Sequence, residues 1–111
     1  MFYQSARDYI NRLIHMQRHM LRHEYKRVDH ATLVRSIDTL ETLLSFYKYD
    51  TNEKMTRFWR KYRYQIRMLL PTARHPGYSK LLAEFESLDS LANESKFEIW
   101  QSVSLSLSRQ F

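Results

Sequence analysis

The residues best equipped for chemistry are cations. Lys54, Arg57, Arg60, Lys61, Arg63 and Arg67 follow one another closely, with Tyr64 and Met68 among them. On a helix rising about 1.5 Å per residue, they set six positive charges on one face about 20 Å long. No Asp or Glu occurs from Lys54 to Leu70, so the stretch supplies its cations with no acidic neighbour one turn away. A phosphate backbone would neutralise such a face and release its counterions. Tyr64 would add a hydrogen bond to phosphate or a surface on which a base stacks. An earlier segment repeats the theme with Arg12, Arg18, Arg22 and Lys26. Side by side, the two faces would form one large patch.

A second reading uses the same residues. Acidic side chains elsewhere, Glu84, Glu86, Asp89, Glu94 and Glu98, would cover part of the stripe. The uncovered part would then dock an acidic protein surface. The expected partners are therefore nucleic acid, DNA or RNA, or an acidic protein, with a homodimer as a further form. The corresponding functions are a small non-enzymatic nucleic-acid-binding protein or an interaction module such as an assembly subunit, adaptor or inhibitor.

The histidines make a weaker pattern. His15, His19 and His23 stand four apart, and neighbours at that spacing can share a zinc ion. The outer two are about 12 Å apart along a helix, too far for one ion. With His-Glu-x-x-His absent as well, the expectation is no metal and no cofactor. Arg18 and His23 fit an Arg-x(4–6)-His spacing, but so does Arg12 with His19. This composition yields roughly 1.6 such matches by chance, so two carry no argument for catalysis. The expectation is a protein that is not an enzyme.

The elements that must position these residues read as helices. From Ala6 to Arg27, Ala6, Tyr9, Ile10, Leu13, Ile14, Met16, Met20 and Leu21 share one arc, with Gln17 and Glu24 inside it. Ser5 and Asp8 resemble a capping box at its start. Asp29 is a candidate N-cap for a second helix through Leu33, Ile37, Leu40, Leu44 and Tyr47, with Val34 and Leu43 alongside. The link is short, so these two helices should be antiparallel neighbours. Asp50-Thr-Asn-Glu53 opens a third helix, Glu53 to Leu70, which buries Met55, Phe58, Trp59, Tyr62, Ile66, Leu69 and Leu70. Pro71 ends it. Residues 71–78 hold both prolines and the single glycine and read as a loop. Ser79 would cap a fourth helix with Leu81, Leu82, Phe85, Leu88 and Ala92 inward. Asn93-Glu-Ser95 either breaks that helix or lets it run on to Phe97, Trp100, Val103 and Leu107. Residues 103–107 also alternate with period two, so the end reads as helix or loose tail, with a strand the weaker alternative.

The fold expected is all-α: a single compact four- to five-helix bundle-like domain over 1–111. Its basic three-helix part is 1–70, its loop 71–78 and its acidic helical part 79–111. Residues 1–79 carry a net +8 and residues 80–111 a net −2, together the +6 of the chain. One glycine in 111 residues excludes glycine-rich phosphate loops, and the absence of cysteine excludes disulfides and thiolate chemistry. No apolar run is long enough to span a bilayer. The expected setting is cytoplasmic or otherwise intracellular, in a reducing compartment, away from membranes.

Overall fold

The computed structural model describes residues 2–23, 30–46 and 50–110, with side chains described up to residue 94. It is an all-α, bundle-like domain of five helices: α1 Phe2–Arg22, α2 His30–Phe46, α3 Asn52–Lys61, α4 Arg63–Met68 and α5 Tyr78–Gln110. Glu24, Lys26, Arg27, Asp29 and Tyr47 lie outside the described residues, as do the side chains of Phe97, Trp100, Val103 and Leu107.

Helix α1 is the centre of the packing. Its Ala6, Tyr9, Ile10 and Leu13 are completely buried, and α2, α3 and α5 all touch it. The helix begins earlier than the Ser5/Asp8 pair implied, so those two residues sit inside it rather than at its cap. The Tyr3 N–H, in the first turn of α1, donates to Asn52 Oδ1 of α3 at 3.1 Å. Arg7 donates to the Leu44 carbonyl near the end of α2, and Arg18 reaches Asp38 and Glu41 earlier in α2. These contacts run in opposite chain directions, so α1 and α2 are antiparallel. Leu33, Ile37, Leu40 and Leu44 are buried as their spacing requires. Val34 is not: it is 42% exposed, on the edge of the apolar arc.

The expected third helix is two helices. Thr51 caps α3 by accepting from the Lys54 N–H at 3.2 Å. At Tyr62 the backbone turns to φ −108°, ψ 19°, and α4 starts one residue later. Hydrogen bonds from Tyr62 N–H to Phe58 and from Ile66 N–H to Tyr62 carry the chain through this bend. The buried residues Met55, Phe58, Trp59, Ile66, Leu69 and Leu70 therefore stay in phase across it. Before Pro71 the helix tightens to three-residue bonds, Leu69 to Ile66 and Leu70 to Arg67. The helix ends before Pro71, so no following turn supplies an N–H to the Leu69 carbonyl, and Gln17 Nε2 of α1 donates to it instead. That explains a glutamine inside an apolar arc: Gln17 is fully buried because it finishes another helix. Its Oε1 meets no donor among the described residues.

Residues 71–77 form the expected loop, and α5 begins at Tyr78 rather than Ser79. Helix α5 then runs without interruption through Asn93-Glu-Ser95 and through 103–107 to Gln110, and the described residues contain no strand. At 33 residues it is about 50 Å long, which fits only along the 61 Å axis of a 61 × 30 × 23 Å molecule. Phe85 is buried on Trp59 with ring centroids 5.4 Å apart, and Tyr9 and Phe2 close the cage around that indole at 6.2 and 6.4 Å. The Tyr9 hydroxyl donates to the Leu81 carbonyl of α5. Burial raises the Tyr9 phenol well above its ordinary ionisation range, and Glu84 raises it further while Arg12 opposes.

Candidate nucleic-acid interface

The outer face of α3 and α4 is built from the positions that the buried arc leaves over. Arg57, Lys61, Tyr64, Arg67 and Met68 are exposed and Arg60 is half-buried, so that one or two of them recur at every turn along the stripe. Tyr64 is 77% exposed and Met68 44%. The bend at Tyr62 divides the stripe, with Arg57, Arg60 and Lys61 on α3 and Tyr64, Arg67 and Met68 on α4.

The cations are not equally available. Acidic partners do exist close by, contrary to the expectation from the stretch after Lys54. Asp50 and Glu53 lie just before it. Lys54 pairs with Asp50 at 3.3 Å and Arg57 with Glu53 at 2.6 Å. Both pairs are solvent-exposed, so each is worth roughly 0–1 kcal/mol and yields readily to a competing anion. Arg63 differs. Its guanidinium lies 2.8 Å from Asp89 Oδ2, while Asp89 Oδ1 accepts from the buried Trp59 indole N–H at 3.0 Å. Asp89 is itself buried. Arg63 is therefore part of the joint between α4 and α5.

Arg60, Lys61 and Arg67 have no acidic partner within ion-pair distance among the described residues. The Lys61 ammonium lies 5.5 Å from the centre of the Tyr62 ring, and the Arg67 guanidinium 5.7 Å from that of Phe85. Such contacts hold a cation in place without cancelling its charge.

The basic residues of α1 do not simply extend this face. Arg12 is bound to Glu84 at 2.7 Å, which ties α1 to α5. Arg18 is clamped between Asp38 and Glu41 at 3.3 and 2.9 Å, which ties α1 to α2. Arg22 is exposed, and Lys26 is outside the described residues. Of the nine residues expected at the interface, the fold thus gathers Arg57, Arg60, Lys61, Tyr64 and Arg67, commits Arg63 to the buried Asp89, and sets Arg18 apart on α1 in solvent-exposed pairs with α2. Asp89, one of the acids expected to cover part of the stripe, does cover Arg63, but its second bond, to the Trp59 indole, was missed by sequence reasoning. Its one sequence mark was an acidic residue beside Leu88 on the inward arc of α5.

His19 and His23 stack edge to face with ring centroids 4.3 Å apart. Among the described residues no three or more acidic or imidazole groups converge as a metal site. None of the described helices is long and apolar enough to cross a membrane.

No family model, curated protein or solved structure matches this chain.

Proposed function

We propose that this protein is a small, non-enzymatic helical protein that binds nucleic acid through the outer face of α3 and α4. The observation that carries the reading is the trio Arg60, Lys61 and Arg67 around the exposed Tyr64, with no described acidic group paired to any of the three. In this reading Arg57, Arg60, Lys61 and Arg67 contact phosphates and Arg22 is auxiliary. Arg63 serves the fold through Asp89.

Four neutralised phosphates give a slope of log K against log salt near −3.6 on duplex DNA, by the usual factor of about 0.9 per phosphate. A fluorescence anisotropy titration of labelled DNA and RNA from low to moderate salt measures it. Arg60→Glu with Lys61→Glu should abolish binding while leaving the helical signal intact. Absence of binding to either nucleic acid at low salt would end the proposal. A pull-down that survives nuclease and is lost on the same double substitution would assign the face to an acidic protein instead.

A further inference from the structure

Resting on that reading, we infer that the ligand is a single-stranded segment of nucleic acid, with an unpaired base stacked on Tyr64. Arg67 and Met68 stand three and four residues after Tyr64 on α4, and Lys61 and Arg60 three and four residues before it, across the bend at Tyr62. Three are cations and the fourth is a polarisable thioether that is itself partly exposed. Two of the cations rest on other rings, Lys61 against Tyr62 and Arg67 against Phe85. No described side chain stacks on the Tyr64 ring or hydrogen-bonds its hydroxyl, so a large aromatic surface stands open in water with charge around it.

A duplex has little use for that surface. Its bases already stack on one another, and a ring placed against its backbone meets only sugar and phosphate. An unpaired base offers a π-face that covers the Tyr64 ring, with Met68 one turn further along the same strip. The flanking phosphates would fall to Arg60 and Lys61 on one side and Arg67 on the other. The bend at Tyr62 suits this arrangement, since cations on two short helices follow a flexible strand more easily than a rigid rod. Stacking of this kind is tolerant of base identity. The same geometry serves RNA and DNA, which the probes below distinguish.

The experiment uses the full chain and anisotropy titrations with three probes: oligothymidylate and oligouridylate of about 12 nucleotides, and a mixed-sequence DNA duplex of similar length. The expected result is tighter binding of one or both single strands than of the duplex. Tyr64→Ala should weaken single-strand binding by about 5- to 150-fold and leave duplex binding unchanged. Tyr64→Phe, which keeps the ring and loses the hydroxyl, should stay within about twofold of the parent on this stacking account. Tyr64 is exposed, so both variants should fold, and circular dichroism checks this. Stacking is overturned if Tyr64→Ala binds the single strands as the parent does. It is equally overturned if Phe fails as badly as Ala, or if duplex binding falls in parallel. In those cases salt-dependent binding lost with Arg60→Glu and Lys61→Glu leaves the broader function standing. Failure of every probe to bind removes both.

Discussion

Asp89 does two things with one carboxylate. One oxygen accepts from a buried indole and the other holds a guanidinium. Asp89→Ala leaves the Trp59 N–H without an acceptor in a closed cage, and should cost about 2–3 kcal/mol in urea unfolding. Asp89→Asn, which retains an acceptor for the indole, should cost less. Arg63→Ala should therefore lower stability while changing nucleic-acid affinity less than Arg60→Ala does, although the two residues look alike in the sequence. Tyr9 gives a pH signature. Its phenol is raised in the native state, and the unfolded phenol ionises near 10. Below that pH both states are neutral and its contribution is constant. Above it the unfolded chain sheds a proton that the native chain keeps, so stability falls as pH rises. Tyr9→Phe should be about 1 kcal/mol less stable at neutral pH. It should also lose less between about pH 8 and about pH 11 than the parent does. Equal losses in the two proteins would contradict the assignment.

At the scale of the element, the buried arcs were legible because they need only periodicity. Tyr9, Leu13, Leu33, Ile37, Leu40, Phe58, Trp59, Ile66 and Phe85 are inward where the spacing put them. What was not legible depended on another helix. The first turn of α1 lies before the local Ser5/Asp8 pattern, and its Tyr3 N–H is met by Asn52, forty-nine residues away. Gln17 looked misplaced until the carbonyl of Leu69 gave it a purpose. The pairing of Arg18 with Asp38 and Glu41, and of Arg63 with Asp89, likewise needs the tertiary fold. Two substitutions separate local from distant support. Thr51→Ala removes a helix cap and should cost about 1 kcal/mol. Gln17→Ala opens a buried space and frees a carbonyl together, so about 2–4 kcal/mol is expected. Gln17→Met fills the space and removes the unpartnered Oε1, so it should fall between the parent and Gln17→Ala. Thermal unfolding followed at 222 nm reads all three.

Over the whole molecule, the fold turns a diffuse +6 into a sorted surface. Glu84 and Asp89 of the acidic C-terminal part are drawn onto Arg12 and Arg63, where they fasten α5 to the rest. On α3 and α4, Arg60, Lys61 and Arg67 keep their charge without a described acidic partner. If that surface meets phosphate, each single removal of Arg60, Lys61 or Arg67 should reduce the salt slope by about 0.9 on duplex DNA. Removal of Arg12 should change it far less. An equal effect from Arg12→Ala would mean that charge in bulk, not this face, drives association. The ring cage around Trp59 has a use beyond holding helices together. Phe2 and Tyr9 of α1 and Phe85 of α5 all border one fluorophore, whose nitrogen is tethered to α5 by a carboxylate. The protein thus carries an optical gauge at the seam between its basic and acidic parts. Parting of α5 from α3 would shift the Trp59 emission to the red before the helices melt, and a Trp100→Phe background would isolate that signal without any added label.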